Sequence, residues 1–274
     1  MTDKNAAAAP ERYMYVASAP SSLKRKLSWL GWIALLLFIY WWSAAGTKLN
    51  IVNFFSGLHG IGDILRRMFP PDFSALPRHI GPALETVQIS IWGTTLGILI
   101  AIPLGLFAAT NITPHRSFYY VSRLILNFFR AVPEMVMALV FVAAVGLGPF
   151  PGVLALAFHS VGMLGKFLAE SIENVETEPI EALTATGAGK TQTLIFAIVP
   201  QILPSFVALC LFRWEMNFRA STVLGIVGAG GIGFELISSM RLFRYQEMTL
   251  IILLILVVVT LVDGISSLIR KCLI

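Results

Sequence analysis

Charge is what this sequence has least of. Lysine, arginine, aspartate and glutamate make up 13% of its 274 residues, about half the share of an ordinary soluble domain, so a water-facing globular surface cannot be built from it. Cysteine is nearly absent as well. Cys210 and Cys272 are the only two and lack CxxC spacing, which excludes a disulfide framework and a thiolate metal site. His59, His79, His115 and His159 are scattered, and no nucleophile–base set assembles around them. His159, even with Lys166 nearby, lacks a third partner and reads as a helix-packing or pathway polar group. Strand-length alternation is missing too, which excludes an outer-membrane barrel.

What fills the chain is apolar: 57% of residues are hydrophobic, and mean hydropathy is +0.79. The uncharged runs 27–47, 86–115, 135–165 and 191–212 each reach the roughly 20 residues that an α-helix needs to cross the hydrocarbon core. The chain therefore reads as an all-α integral membrane protein in the lipid bilayer. Residues 1–26 are polar and end in Lys24, Arg25 and Lys26, which by the positive-inside rule places the amino terminus in the cytoplasm. The first apolar run is too long for a cleavable leader and should stay as an anchor.

Taken in order, span one covers 27–46, with Phe38, Tyr40, Trp41 and Trp42 forming either an interfacial belt or lipid-facing bulk. A connector over 47–82 contains an amphipathic element at 61–69, expected on the outer surface. Span two, 86–110, has Gly93, Gly97 and Gly105 spaced for close helix approach and Pro103 as a kink. Span three, 117–145, carries Arg123, Arg130 and Glu134. Arg130 and Glu134 are four apart, share a helix face and can pair. Charge inside a span is costly and points to function, the alternative being a mutually satisfied pair at the cytoplasmic mouth. Span four runs to about 169 and span five over 191–212. In 213–240 the uncharged segment 220–234 is too short to cross, so a re-entrant glycine-rich half-helix is expected there. Span six covers 249–269. Six spans return both termini to the cytoplasm, although Lys48, Arg66, Arg67, Arg78, Arg241 and Arg244 all fall on the outer side and weaken the charge rule.

Between spans four and five lies SIENVETEPIEALTATGAGKTQTLIFAIVPQILP, residues 171–204. Glu173, Glu176, Glu178 and Glu181 crowd its first half, and Gly187 and Gly189 stand where a helix should stop, so it reads as a short cytoplasmic helix followed by a turn. Two soluble-enzyme signatures are set aside. Gly228–Gly233 satisfies GxGxxG but follows no strand, and Gly187–Thr191 lacks both the first glycine of a phosphate-binding loop and its strand.

Glu181, Ala182, Gly187 and Pro200 fit another pattern. They resemble the EAA loop of permease subunits of bacterial ABC importers, with Leu183, Ala197 and Val199 departing from it, and the likeness extends over about 85–269. FRASTVLGIVGAGGIG (218–233) and the Arg130-to-Pro133 element resemble the phosphonate permease branch. The resemblance implies a type I ABC importer-like fold: six transmembrane helices, a cytoplasmic coupling helix and a re-entrant glycine-rich segment. It implies a tail at 1–26, a first span and outer connector at 27–82, and a permease core at 83–274 with its coupling loop at 171–193. The coupling residues would be Glu181, Ala182, Gly187 and Gly189. Pathway or gate residues would be Arg130, Glu134, Arg213, Arg219, Ser221, Thr222, Gly228, Gly230, Gly231 and Gly233.

The implied function is the transmembrane subunit of an ATP-driven importer of phosphonate-type small oxyanions in the bacterial inner membrane. Arginines suit such anions, but Glu215, Glu235 and Glu247 lie among them and could hold them in local ion pairs. Implied partners are a second copy of the chain, two ABC ATPase subunits and an extracytoplasmic solute-binding protein. ATP and Mg would be bound by the ATPases, with no cofactor in this chain, no catalysis of its own and no nucleic acid. Phosphite, phosphate or an amino acid is the alternative cargo. An intramembrane enzyme or a channel would need a catalytic constellation or a polar pore-lining series, and neither is found.

Overall fold

A computed structural model describes residues 22–47 and 51–273. The expectation of a cytoplasmic tail falls mostly on residues outside them, as does Lys48. The chain divides into two units, Met1–Ile61 and Gly62–Ile274. In the first, α1 (Ser22–Gly46) is a single apolar helix, exposed at every described side chain from Lys26 on, with the Phe38 and Trp41 rings 6.2 Å apart. Helix α2 (Ile51–Met68) crosses the division and is twice as long as the amphipathic element expected from the sequence.

The second unit is a helical bundle whose long members are α3 (Leu76–Ala108), α6 (Pro149–Glu173), α9 (Val199–Leu224) and α11 (Tyr245–Leu273). Helix α6 is the most buried of the apolar spans, and its pairing with α3 is the most extensive in the bundle. Lipid tails are as apolar as leucine, so helices associate in a membrane by close packing, and close packing needs small residues. Here α3 supplies them. A β-carbon on Gly93 would stand 2.7 Å from Leu156 Cβ, one on Gly97 2.6 Å from Ser160 Cβ, and one on Gly105 2.9 Å from the Gly165 carbonyl oxygen. The Gly93, Gly97 and Gly105 stripe is therefore a packing face. On the α4 side, a β-carbon on Gly162 would stand 2.5 Å from the Arg130 amide nitrogen, so α6 is clasped from both directions.

Span three is not one helix. Helices α4 (Arg116–Ala131) and α5 (Glu134–Val145) are bent by 92° at the break. The physical reason is Pro133, which cannot donate a ladder hydrogen bond and forces its predecessor out of the helical region; Val132 is extended at φ −86°, ψ 120°. Among the described residues five helices are long and apolar enough to cross a membrane, and six spans are reached when the bent pair counts as one. The bend also corrects the expected Arg130–Glu134 pairing. Residues four apart share a face only in an unbroken helix, and Glu134 instead meets His159, its Oε2 3.1 Å from Nε2.

The charged run after residue 212 does not end span five. Helix α9 continues to Leu224, because each polar group finds a partner on a neighbouring helix: Arg213 on Ser160, Asn217 on Thr94, Glu215 on Arg270 and Arg219 on Asp263. Reversal begins at Gly225 and passes through Gly228, Gly230 and Gly231, all at positive φ, into α10 (Ile232–Arg241). Between α6 and α9 lie α7 (Thr177–Ala185), α8 (Lys190–Thr193) and a π-turn over Leu194–Ile198.

Candidate functional site

Near the middle of α9, three helices bring polar side chains together. Helix α9 contributes Arg213 and Asn217, one turn apart; α3 contributes Ser90 and Thr94, also one turn apart; α6 contributes His159 and Ser160. Arg213 Nε donates to Ser160 Oγ at 3.0 Å, and its Nη1 approaches Met163 Sδ at 3.6 Å. Asn217 is fully buried and its amide nitrogen donates to Thr94 Oγ1 at 2.8 Å and Ser160 Oγ at 2.9 Å. Trp214 Nε1 donates to Ser90 Oγ at 3.1 Å. Ser160 is the hub, receiving from both α9 residues while its own hydroxyl donates to the Leu156 carbonyl at 2.6 Å.

Arg213 is 6% exposed, and no carboxylate among the described residues forms an ion pair with it. Its nearest counter-charge in electrostatic reach is Glu134, at the first turn of α5, where a helix start favours negative charge. Glu134 is held by His159, whose Nδ1 lies 3.3 Å from the Val132 carbonyl oxygen. The break in span three thus places a helix start and a carboxylate within electrostatic reach of a buried guanidinium. A buried cation without a dedicated ion-pair partner is expensive in a membrane.

At one end of the bundle the glycine turn is fastened to α3. Glu85 Oε1 accepts the Gly231 amide at 3.0 Å, and Thr86 Oγ1 accepts the Ile232 amide at 2.8 Å. The Gly148 amide donates to the Gly228 carbonyl at 3.0 Å. A side chain at Gly233 would collide with the Thr222 carbonyl oxygen, and one at Gly230 would stand 2.6 Å from Glu85 Oε1. Glycine is required here by close approach as well as by backbone angle.

At the other end α7 is largely exposed, with no fully buried residue and Ile180 packed against the core. It starts after Glu176, whose amide donates to Gln201 Oε1 at 3.0 Å, tying its first turn to α9. It stops at Gly187, φ 84°, where the Gly187 amide reaches the Thr184 carbonyl at 3.0 Å and the Ala188 amide reaches that of Leu183 at 3.3 Å. That pair of bonds defines a left-handed helix stop. Gly189 has a different task. Its backbone is extended at φ −75°, it caps α8, and its amide donates to Gln192 Oε1 at 2.8 Å. Glu181 and Ala182 are exposed on α7. Glu173 belongs to α6, where its carboxylate grips Arg123 at 2.8 Å and the Thr110 amide at 2.8 Å.

Of the pathway residues expected from the sequence, Glu134 lies within electrostatic reach of Arg213, and Gly228, Gly230 and Gly231 form one turn with Gly233 in the first turn of α10. Arg130 is exposed at the end of α4. Arg219 Nη2 is 2.7 Å from Asp263 Oδ2. Ser221 donates to the Phe218 carbonyl at 2.7 Å and lies 3.4 Å from that of Thr86 on α3, whereas Thr222 donates within its own helix to the Arg219 carbonyl. Sequence reasoning missed Ser90, Thr94, Ser160, Asn217 and Glu85. The signal for most was present: Ser90 with Thr94 and Arg213 with Asn217 are i,i+4 polar pairs, each on one helix face. Among the described residues no group of three His, Cys, Asp or Glu could hold a metal ion.

Residues 101–272 match the family described as the binding-protein-dependent transport system inner membrane component. The chain belongs to that family. It is a multi-pass membrane permease component. It is 48% identical to the phosphite transport system permease protein PtxC of Stutzerimonas stutzeri over 223 residues, 81% of each chain. It is also 44% identical to the putative phosphite permease HtxC of the same organism over 78% of this chain and 76% of that one. The fold is shared with a chain of the inward-facing MetNI methionine ABC transporter at TM-score 0.63 and 20% identity, covering 74% of this chain and 99% of that one. A chain of an amino acid ABC transporter gives TM-score 0.62 at 18% identity, covering 73% and 98%. The fold is thus that of type I ABC importer permeases.

Proposed function

We propose that this permease carries phosphonate- or phosphite-type small oxyanions inward, working as a dimer of two copies with two ATPase subunits and a solute-binding protein that delivers the cargo. Supporting the cargo reading is the buried Arg213 guanidinium at the centre of the bundle, free of any carboxylate ion pair, in a chain so similar to phosphite permeases. A guanidinium offers a planar fork of donors matched to a tetrahedral oxyanion. Glu134 answers part of its charge, and His159 steadies Glu134.

In this reading α7, with Glu181, Ala182 and the Gly187 stop, is where the ATPase engages. ATP and Mg act in that subunit, on the cytoplasmic side where both termini also lie. The Glu176–Gln201 bond hands movement of α7 to α9, a helix of 26 residues and so roughly 39 Å long. That one helix carries Arg213 at its middle and ends at the glycine turn, so a rigid-body tilt driven at one end changes the site and the far closure together. Arg130, Gly189, Arg219, Ser221 and Thr222 act in support of these parts.

The test is uptake of labelled phosphite, methylphosphonate, phosphate and methionine in cells carrying the wild-type or Arg213→Gln permease. Phosphorus oxyanion uptake that collapses in the variant with the complex still assembled is expected. Methionine uptake, or oxyanion uptake indifferent to Arg213, defeats the reading.

A further inference from the structure

A second cationic site lies outside the central network, at the end of the bundle that carries the glycine turn. The last turn of α2, the segment after it and the α10–α11 turn enclose a cleft of about 650 Å³ lined by Arg66, Arg67, Phe69, Arg244 and Tyr245. Its walls are fixed to each other. The Asp72 amide donates to the Gln246 carbonyl at 3.4 Å, and Thr249 Oγ1 donates to the Met68 carbonyl at 2.9 Å.

The charges in this cleft do not balance. Glu247 is engaged with Arg244 at 3.4 Å. Asp72 spends its carboxylate on Ser74, accepting the hydroxyl at 2.6 Å and the amide at 3.0 Å; those bonds, the hydroxyl's first, hold its carboxyl below the usual carboxylate range. Arg66 and Arg67 are adjacent and exposed, and neither forms an ion pair with a described residue. The α2 carboxyl end favours cations, but it supplies neither guanidinium with an acceptor.

The rim adds an independent observation. Phe243 has φ 57° and is the sole non-glycine residue at positive φ among the described residues. It ends α10 with its own amide on the Met240 carbonyl at 3.1 Å and the Arg244 amide on that of Ser239 at 2.9 Å, the same helix stop that Gly187 makes for α7. That position is glycine's, and a β-carbon there is strained. The strained residue presents a ring that is 74% exposed, and across the cleft Phe69 is 65% exposed. Strain retained where glycine would relieve it signals use of the side chain. Exposed aromatic rings flanking unpaired arginines have the composition of a membrane–water boundary.

We infer that this cleft binds a phosphate-type oxyanion between Arg66 and Arg67, with the Phe69 and Phe243 rings set in the acyl boundary beside it. The rings favour the phosphodiester headgroup of an anionic lipid as its source, and free inorganic phosphate offers the same chemistry. The inference is independent of the cargo that Arg213 serves, so a negative uptake assay leaves it standing.

The experiment uses the purified full chain in phosphatidylcholine nanodiscs, with and without phosphatidylglycerol, and native mass spectrometry to count retained lipid. Wild type is expected to retain phosphatidylglycerol, with Arg66→Gln/Arg67→Gln weakening it about fivefold per arginine and roughly 25-fold for the pair. Lys190→Gln, at the far end, serves as the charge control and should change nothing. A free anion would instead raise the melting temperature in phosphatidylcholine discs on adding inorganic phosphate, an effect lost in the double variant. Phe243→Gly separates binding from folding: it should raise thermal stability and lower lipid retention. Overturning results are equal retention in wild type and double variant with no response to phosphate, or a double variant whose sole defect is capture of an acidic binding protein.

Discussion

Replacing Gly187 isolates the energy that shapes α7. A β-carbon at Gly187 would meet nothing within 4 Å, so substitution there carries no steric term, and the whole cost is that of a left-handed backbone at φ 84°. For an L-residue that cost is about 1–2 kcal/mol. Helix α7 has nine residues, well short of the ~12–15 at which an isolated helix becomes marginal, so it has little stability of its own to spend. Gly187→Ala should accelerate amide hydrogen exchange at Leu183, Thr184 and Ala185 by about 5- to 30-fold, the factor corresponding to 1–2 kcal/mol of easier local opening. Gly187→Pro fixes φ near −65° and deletes the amide bonded to Thr184, a loss of about 3 kcal/mol or more, and should uncouple transport from ATP hydrolysis in the reconstituted complex. Gly189→Ala is the internal control, because φ −75° suits any residue. If Gly187→Ala exchanges like wild type, or Gly189→Ala matches it, the left-handed stop is not what holds α7.

Gly233→Ala should prevent the α9–α10 reversal from closing, since the new methyl meets a backbone carbonyl that cannot yield; reduced yield of folded protein in detergent is the measure, and normal yield refutes the packing. Asn217→Leu removes the donor to Thr94 and Ser160 in a fully buried position and should cost about 1–3 kcal/mol, read as a lower melting temperature. The half-exposed Arg219–Asp263 pair should show a coupling of only about 0.2–1 kcal/mol in a double-mutant cycle; a larger value would make it a structural lock. Lowering the pH should loosen the turn at Asp72: its carboxyl is held below the usual range by Ser74, so the contribution is present above the unfolded value and is lost as pH falls through the folded one. A lower protection factor at the Ser74 amide in acid, its exchange rate taken relative to the intrinsic rate at the same pH, is the check.

Some features were legible in the residues because they depend on neighbours along the chain. Apolar run length gave the membrane class, the glutamate cluster and Gly187 pointed to a short helix with a glycine stop although Glu173 falls in α6, and Gly93, Gly97 and Gly105 marked the α3 face against α6. What could not be read depended on partners far away in sequence. Arg130 and Glu134 looked like a pair because i,i+4 spacing is all that a sequence offers, whereas His159 lies 25 positions further on. The run from Arg213 to Arg219 looked too charged for a span, because Ser160, Thr94, Arg270 and Asp263 could not be seen beside it. His159 read as a packing or pathway polar group, and only the fold assigns it to Glu134.

By itself, then, the sequence determined a helical membrane permease with a short exposed helix held by a glycine stop, since hydropathy, proline and glycine act locally on the backbone. Tertiary structure alone decided that the helix start after Pro133 lies within electrostatic reach of a buried arginine and that α9 joins that arginine to both ends of the bundle. It also left two arginines without counter-charge at the rim. Charge compensation is a property of distance in space, and spacing along a chain does not report it.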